Sequence, residues 1–369
     1  MARISKVEDV DKNMKAIVED PNTLTYINPI DDKRFKIEGL AFFEPEKKYF
    51  RLPTNCKDKV TEAVYWLAGQ PSGGQIRFKT NAKKISVKIK NQGDYLMCHM
   101  ACTGQQGVDL YYKRKQDKEY KFFTCAKFAA PTSEFESVIF SSDEHEEKEI
   151  IINLPLYEGL AEILIGVDKN AYIKKPRSHK QKGKVVIYGT SITQGGCASR
   201  PGMSFTNILS RKLDCEFINL GFSGSGLGEP EVAHIIATIK DVSMLILDYE
   251  ANGGATGDMK HNLEYFIDIF REKYPLTPVV VISKVLNTTT VFNQKEIEKR
   301  KFYLKFQANC VEKRKEKGDE NIYFIDGSTL LDKDGFECFV DGCHPTDFGF
   351  FQMARSLKPI IGKILKKSL

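Results

Sequence analysis

Three polar residues in the C-terminal half carry the side chains that nucleophilic hydrolysis needs. Ser191 follows the apolar residues 185–188, in a turn that we expect to expose it, and Asp341 and His344 lie together in the segment "DGCHP". A serine hydroxyl is a poor nucleophile until a base takes its proton, and a neutral imidazole is the natural base. Asp341 is near enough to accept the other ring N–H of His344, although a backbone carbonyl could do so instead. The set predicts attack on an acyl carbon by Ser191.

Such an attack places negative charge on the carbonyl oxygen, which hydrogen-bond donors must stabilise. The candidate donors are the backbone N–H of Ser191, the backbone N–H of Gly224 in "NLGFSGSG" and the side-chain amide of Asn252 in "LDYEAN". Gly224 has no Cβ, which lets the backbone approach a substrate closely. Taken singly, each residue has an ordinary explanation as a helix cap or a turn. Their order after successive strands favours one common site.

Two groups of nearby residues allow other interpretations. Cys197 lies in the same loop as Ser191, and a Cys–His pair is an alternative nucleophile, but Cys197 lies beyond the sharp turn. The segment "CHMAC" brings together Cys98, His99 and Cys102, which are residue types that bind zinc. No second pair of ligands at zinc spacing accompanies them. We therefore expect neither a metal nor an organic cofactor.

The elements that position these residues alternate between strand and helix from residue 184 onward. Continuous apolar runs such as "KVVIYG", "EFINLG" and "PVVVIS" are typical of strands buried on both faces. Between them, "SFTNILSRKL" and "PEVAHIIATIKD" place apolar residues on one helical face. The alternation predicts a parallel sheet with helices on both sides. Ligands bind beyond the carboxyl ends of such strands, where Ser191, Gly224 and Asn252 should meet.

Residues from about 70 to 170 have a different pattern, with apolar and polar residues alternating in segments such as "ISVKIK". Short strands of this kind, separated by polar turns, predict an antiparallel β-sandwich. The polar, basic stretch 168–184 contains a proline and a glycine and is interpreted as a linker. The sequence thus predicts two domains, residues 1–175 and residues 183–369.

Composition limits the partners that the protein can have. The net charge of +6 arises from 55 basic and 49 acidic residues, is small for 369 residues, and does not indicate a nucleic-acid partner. There is no run of 18 apolar residues, so we expect no membrane span. The first twenty residues contain no apolar segment of the kind found in leader peptides. The nine cysteines are odd in number, which fits reduced thiols better than a set of disulfides. These features predict a cytoplasmic protein, with secretion after removal of a leader as the alternative, and leave a homo-oligomer open.

Four segments resemble the sequence blocks of the SGNH (GDSL-like) hydrolases, over roughly residues 184–369: "YGTSITQGG", "NLGFSGSG", "LDYEAN" and "DGCHP". The resemblance implies a flavodoxin-like, three-layer α/β/α fold and the activity of an esterase, lipase or carbohydrate deacetylase. It also implies that the block residues and the triad acid are Ser191, Gly224, Asn252, His344 and Asp341.

The match to this family departs from its pattern at two positions. The third block usually reads Gly-x-Asn-Asp, whereas Asn252 is preceded by alanine and followed by glycine. This puts the geometry of the third oxyanion donor in doubt. In the first block, Thr190 stands where the family name implies aspartate.

The segment "GVDLYYKR" resembles the Gly-x-Asp-Leu-Tyr motif of the domain that precedes one branch of the family. This resemblance implies a jelly-roll-like β domain packed against the hydrolase, as in two-domain carbohydrate esterases. Asp109 and Tyr111 of the motif are either structural residues of a strand, residues of the domain interface, or residues at the mouth of the site.

Together these observations predict a serine esterase that removes small acyl groups, with acetyl expected, from a carbohydrate. The carbohydrate is implied only by the two-domain resemblance. The loops "GGCASRPG" and "GSGLGEPE" are short and polar or glycine-rich, which favours a small acyl group over a long chain that needs an apolar groove. A lipase-like or thioester hydrolase is one alternative. A carbohydrate-binding protein with an idle hydrolase domain is another.

Overall fold

The protein is described from a computed structural model, which covers residues 7–15, 23–333 and 335–367. The expectation about a leader concerns the first twenty residues, most of which lie outside this described part. None of the helices in the described ranges combines the length and the apolar character needed to cross a lipid bilayer.

The N-terminal half is built mainly of strands. They are β1 (Leu24–Ile27), β2 (Lys36–Glu38), β3 (Gln75–Thr80), β4 (Lys84–Asn91), β5 (Asp109–Arg114), β6 (Lys121–Cys125), β7 (Glu134–Ser141), β8 (Lys148–Asn153), β9 (Leu160–Asp168) and β10 (Ile173–Lys174). Its helices are short and comprise α1 (Phe43–Glu46), α2 (Glu62–Ala68) and α3 (Cys102–Gln105).

These strands form two antiparallel sheets that share one apolar core. One sheet has the order β1-β9-β4-β7, and the other has the order β10-β3-β8-β5-β6 with β2 paired to β3. Alternating residues of β4, such as Ile85 and Val87, pack in this core with Phe78 of β3 and Ile150 of β8. The predicted antiparallel sandwich is confirmed. Ser86, one of the polar residues in this alternating pattern, is nevertheless buried, and its hydroxyl donates to the carbonyl of Ser137.

The C-terminal half alternates strands and helices. The strands are β11 (Lys184–Gly189), β12 (Glu216–Gly221), β13 (Val242–Asp248), β14 (Val279–Ile282) and β15 (Ile322–Ile325). The helices are α4 (Ser191–Gln194), α5 (Phe205–Leu213), α6 (Pro230–Ala237), α7 (Met259–Lys273), α8 (Gln294–Glu316) and α9 (Asp347–Lys367).

The five strands β11 to β15 form a wholly parallel sheet in the order β12-β11-β13-β14-β15, which is the flavodoxin-like order. Successive residues of β11 face opposite sides. Ile187 packs in the core that contains α5 and α9, and Tyr188 packs in the core that contains α6 and α7. The predicted three-layer α/β/α architecture is confirmed, and all strands point their carboxyl ends to one edge.

Helix α2 belongs to the N-terminal part of the sequence but completes the core of the parallel sheet. Thr61 accepts a hydrogen bond from the N–H of Val64 and caps the helix. Val64 and Leu67 are buried in the same apolar cluster as Leu220 and Phe222 at the end of β12. The division into residues 1–175 and 183–369 stays a prediction, and α2 packs across it.

The segment interpreted as a linker is fixed to both halves by charged groups. His179 contacts Glu38 Oε2 through Nε2 (2.7 Å) and Asp214 Oδ1 through Nδ1 (3.1 Å). Burial works against a charge on His179, but the hydrogen bonds to Asp214 and Glu38 outweigh it and raise its pKa. The buried guanidinium of Arg77 also donates to Glu38, at 2.7 Å.

Replacement of Leu67 by alanine should destabilise the parallel sheet, although Leu67 lies outside the predicted C-terminal domain. The cavity left by a buried leucine costs about 2–5 kcal/mol. Amide hydrogen exchange in β11 and β12 should therefore accelerate in Leu67→Ala. The control is Trp66→Ala, since the neighbouring Trp66 is 58% exposed. Unchanged amide exchange in both strands of Leu67→Ala would show that α2 does not stabilise the parallel sheet.

Candidate active site

Ser191 is held between the end of β11 and the start of α4. Thr190 is the N-cap residue of this short helix, and Ser191 is its first residue. The expectation of an exposed serine was wrong, because Ser191 is only 9% exposed. Its hydroxyl does not cap the helix but lies 2.8 Å from Nε2 of His344. The hydroxyl is thus in direct contact with the imidazole.

His344 is hydrogen-bonded to Asp341, one of the two orienting groups that the sequence left open. Nδ1 of His344 is 2.7 Å from Asp341 Oδ2. The other carboxylate oxygen, Oδ1, accepts the backbone N–H groups of Cys343 (2.9 Å) and His344 (2.7 Å). Burial works to raise the pKa of Asp341, but these N–H groups and the ring of His344 lower it to about 2. Asp341 is thus an anion at neutral pH and can orient the imidazole.

The loop that carries His344 is anchored on both sides. Thr288 donates its N–H to the carbonyl of Gly342 at 3.1 Å, and Val340 donates to the carbonyl of His344 at 2.9 Å. Helix α9 begins just after this loop, at Asp347. The carboxylate of Asp347 accepts the N–H and hydroxyl of Ser199, which ties the loop after the nucleophile to the start of α9.

Gly196 leaves the space that the imidazole needs. A Cβ at this position would lie 2.9 Å from the hydroxyl of Tyr157 and 3.2 Å from Cδ2 of His344. Tyr157 in turn donates to the carbonyl of Ser191 at 3.2 Å. A side chain at residue 196 would therefore push the base away from the nucleophile.

Two of the predicted oxyanion donors have N–H groups that the described residues leave unused. Neither the N–H of Ser191 nor that of Gly224 donates a hydrogen bond within the described part of the chain. Gly224 has a φ of +69° and faces open space. Its loop is fixed to α4, because Gln194 Oε1 accepts the N–H of Ser223 at 3.0 Å.

The third predicted donor, Asn252, lies in a π-helical turn, Glu250–Gly254, that follows β13. Its Oδ1 is buried without a hydrogen-bond partner in the described ranges. Glu250 fixes this turn by accepting the N–H of Lys284 and the amide of Gln307, each at 2.7 Å. The structure brings Ser191, His344 and Asp341 into hydrogen-bond contact, but within the described part no hydrogen bond joins Asn252 or Gly224 to them.

Asp248 was not singled out from the sequence, although it interrupts the apolar run of β13. Its Oδ2 accepts the hydroxyl of Thr193 at 2.9 Å and so fixes α4 against the end of β13. Burial raises the pKa of Asp248 to about 7, with the hydrogen bond from Thr193 opposing and the charge of Glu250 adding to the shift. A polar residue at the end of a buried strand was the available signal.

Cys197 is close to the site but is not poised as a nucleophile. It is 6% exposed, and it has a φ of +72°. Burial, with a smaller contribution from the charge of Asp341, raises the pKa of its thiol to about 12. The reactive thiolate is therefore scarce at neutral pH. His99 of "CHMAC" also lies here, with Nε2 3.9 Å from Asp341 Oδ2.

Asp109 and Tyr111 lie at the interface between the β-sandwich and the loop after Ser191. Asp109 Oδ2 accepts Arg200 Nη1 and the N–H of Gly202, both at 2.8 Å, and Oδ1 accepts the amide of Asn153 at 2.7 Å. The hydroxyl of Tyr111 is 2.6 Å from Arg200 Nη1. Of the alternatives left open by the sequence, the interface is the one that the structure supports.

Comparisons with known proteins agree with this architecture. The profile of the GDSL-like lipase/acylhydrolase family matches residues 182–362. The profile of the GxDLY domain, the N-terminus of SGNH-hydrolase-type esterases, matches residues 24–173. A search among curated proteins gave no match.

Solved structures extend the similarity over both halves. A Bacteroides ovatus protein assigned to the GDSL-like lipases is 36% identical, with a TM-score of 0.84, over 93% of this chain and 98% of that one. The salicylyl-acyltransferase SsfX3 of a tetracycline biosynthetic pathway is 19% identical, with a TM-score of 0.75, over 92% and 97%. A Clostridium thermocellum family two carbohydrate esterase, solved with cellohexaose, is 14% identical, with a TM-score of 0.55, over 81% and 94%.

The fold and the matches define the class of protein as an ester hydrolase with an N-terminal β-sandwich. Within this class, the chain belongs to the GDSL-like lipase/acylhydrolase family. The two matches below 25% identity support the shared fold alone.

Replacement of Gly196 by alanine should lower ester hydrolysis while the protein stays folded. The added methyl group displaces the ring of His344, and each 1.4 kcal/mol of lost transition-state stabilisation lowers the rate about tenfold. We expect kcat on p-nitrophenyl acetate to fall by at least about tenfold. The control is Gly362→Ala in α9, where a Cβ meets only Leu213. Equal kcat values for the two variants would contradict the steric role of Gly196.

Proposed function

We propose that the protein is a serine esterase that removes small acyl groups, acetyl in particular, from a carbohydrate. His344 takes the proton of Ser191 as its Oγ attacks the ester carbonyl, and Asp341 orients the imidazole and stabilises its charged form. The N–H groups of Ser191 and Gly224 and the side-chain amide of Asn252 stabilise the oxyanion. His344 then protonates the departing alcohol, which leaves an acyl group on Ser191. Water activated by His344 releases the acid.

The observation that carries the proposal is the unbroken path of hydrogen bonds from Ser191 through His344 to Asp341. Its two steps measure 2.8 Å and 2.7 Å, which is the reach that proton transfer requires. The unused N–H groups of Ser191 and Gly224 lie at the carboxyl ends of β11 and β12, where the substrates of parallel-sheet enzymes bind. No step requires a metal or an organic cofactor.

A pair of exposed aromatic side chains supports a carbohydrate as the carrier of the acyl group. Trp66 is 58% exposed, Tyr95 is 39% exposed, and their ring centroids are 6.3 Å apart. The Tyr95 hydroxyl donates to the carbonyl of Tyr157 at 2.7 Å, and the hydroxyl of Tyr157 reaches the carbonyl of Ser191. Aromatic faces next to a polar site suit the apolar faces of sugar rings. The similarly folded family two carbohydrate esterase was solved with cellohexaose bound.

The surroundings of Ser191 favour a small acyl group. Tyr157 and Gly196 lie directly against the nucleophile and its base, and Gln194 draws the loop of Ser223 over α4. A lipase-like or thioester hydrolase would need an apolar groove for a long chain. The relative rates on acetate and octanoate esters distinguish the two activities.

We further propose that the protein acts in the cytoplasm on a small-molecule or oligosaccharide ester, without a nucleic-acid or membrane partner. All nine cysteines are free thiols in the structure, which suits a reducing compartment. A homo-oligomer remains compatible with this proposal.

Replacement of Ser191 by alanine should abolish hydrolysis of p-nitrophenyl acetate without changing the fold. The reason is that no other hydroxyl is hydrogen-bonded to His344 in the described ranges. Circular dichroism and thermal unfolding check the fold. Cys197→Ala should keep turnover far above that of Ser191→Ala. Equal turnover in wild type and Ser191→Ala would show that Ser191 is not the nucleophile. If the wild type hydrolysed no ester and Ser191→Ala bound a glycan, the protein would instead be a binding protein with an idle hydrolase domain.

Replacement of Asn252 by alanine should lower kcat by about 10²–10³, which is the typical effect of losing one oxyanion donor. The acyl-enzyme mechanism would persist at this lower rate. The control is Asn170→Ala, an exposed asparagine of the β-sandwich. An unchanged kcat would remove Asn252 from the oxyanion site and leave the two backbone N–H groups.

Replacement of Trp66 by alanine should raise KM for an acetylated oligosaccharide by about two- to tenfold, which corresponds to the loss of one aromatic contact. The kcat/KM for p-nitrophenyl acetate should stay the same, since this substrate has no sugar ring. The control is Phe292→Ala, because Phe292 is 98% exposed. Equal effects on both substrates would contradict a role of Trp66 in binding carbohydrate.

A further inference from the structure

His99 has no part in the proposed mechanism, yet it lies beside the groups that carry it. It comes from the β-sandwich half, and its ring stands edge-on to that of His344 with the centroids 5.8 Å apart. Together with Asp341 and Cys197, the two histidines form a cluster. One nitrogen, oxygen or sulfur atom from each of the four side chains lies within 4.8 Å of the others.

The donor atoms of this cluster are those that zinc prefers. Zn²⁺ binds thiolate sulfur and imidazole nitrogen, often with one carboxylate, in a tetrahedral arrangement. Calcium and magnesium prefer oxygen ligands alone, so a set with one sulfur and two nitrogens disfavours them. The four residues come from three separate segments that the fold brings together, which is why zinc spacing in the sequence did not reveal them.

Neighbouring groups hold the donor atoms in place. Asp341 Oδ1 is occupied by two backbone N–H groups, which directs Oδ2 toward both histidines. The Nδ1 of His99 lies 3.8 Å from the sulfur of Cys98, so its other nitrogen, Nε2, faces Asp341. Partners of this kind orient the ligands of metal sites. Zinc–ligand bonds of about 2.0–2.3 Å require the donor atoms to move toward one another by roughly 1 Å. The partly exposed side chain of His99 can supply this movement.

We propose that His99, Cys197, Asp341 and His344 form a binding site for Zn²⁺, and that zinc bound there inhibits ester hydrolysis. On binding, the thiol of Cys197 releases its proton to solvent and its sulfur ligates the cation. The two imidazoles bind as neutral rings, the carboxylate binds as an anion, and no electron is transferred. While they hold zinc, Asp341 and His344 cannot serve Ser191. The binding stands by itself, whereas the inhibition rests on the proposed function.

The test uses Co²⁺ as a spectroscopic probe on the full-length protein after treatment with a chelator. Wild-type protein should bind one Co²⁺ with a thiolate-to-metal band in the near ultraviolet and the visible bands of a tetrahedral site. One equivalent of Zn²⁺ should displace it. Ser191→Ala should bind Co²⁺ with the same absorption bands as the wild-type protein, because Ser191 is not a ligand. This readout requires no esterase activity.

Two variants and two matched controls assign the ligands. His99→Ala should weaken Co²⁺ binding by at least about 100-fold, because even the loss of an outer partner costs 10–100-fold. The control is His145→Ala, whose side chain is 39% exposed against 37% for His99 and which lies elsewhere on the β-sandwich. Cys197→Ser should lose the thiolate band, whereas Cys102→Ser should keep it.

Inhibition is measured for each protein relative to its own metal-free rate on p-nitrophenyl acetate. Zn²⁺ should inhibit wild type and His145→Ala strongly, and it should inhibit His99→Ala at least about 100-fold more weakly. A wild-type protein without the thiolate band, or equal affinities in His99→Ala and His145→Ala, would overturn the zinc site. If Co²⁺ bound as expected but wild type hydrolysed no ester, the zinc site would stand and the proposed function would fail.

Discussion

The rest of the structure depends on the contacts that the buried carboxylate of Asp109 makes with the loop after Ser191. Its side chain has no exposed surface, so its negative charge must be matched inside the protein. Arg200 and the N–H of Gly202 match it from the other half of the chain. Removing one partner of such a buried pair costs about 3–5 kcal/mol. The β-sandwich and the loop after Ser191 are therefore held together by a requirement for charge balance.

That same loop is also held from two further sides. Ser199 is bound by Asp347 at the start of α9, and its carbonyl accepts the hydroxyl of Thr103 at 2.6 Å. Since Asp347 follows His344 by three residues, the loop joins the segment of the nucleophile to the segment of the base. Ser191 and His344, 153 residues apart in the sequence, reach 2.8 Å because the sheet and this loop fix both.

Much of the fold could be predicted because it depends on local patterns. The continuous apolar runs of β11 to β15 predicted buried parallel strands, and the alternation in β4 predicted a sandwich. Helix α8 was not singled out, because its sequence is strongly charged and lacks a clear apolar stripe. The packing of α2 in the core of the parallel sheet could not be predicted either. The residues that Leu67 packs with in that core are distant in the sequence and become neighbours only in the folded chain.

Those parts of the candidate site that are formed by residues close together in the sequence were predictable. Asp341 and His344 are three residues apart, and their contact follows from this spacing. The position of His99 depends on how a loop of one half folds over the other, which no local pattern encodes. The same holds for the burial of Ser191, whose hydroxyl contacts His344 from a distant part of the sequence. The roles of Gly224 and Asn252 stay predictions.

The packing of α2 has a consequence for synthesis on the ribosome. The chain leaves the ribosome from its N-terminus, so residues 62–68 emerge long before β11 and β12 are made. During this interval Val64 and Leu67 lack the apolar residues of β12 that share their cluster, such as Leu220, which lie more than a hundred residues downstream. The nascent β-sandwich thus carries an exposed apolar helix that only the completed chain can bury. Expression of either half alone would therefore leave one side of this apolar contact exposed to solvent.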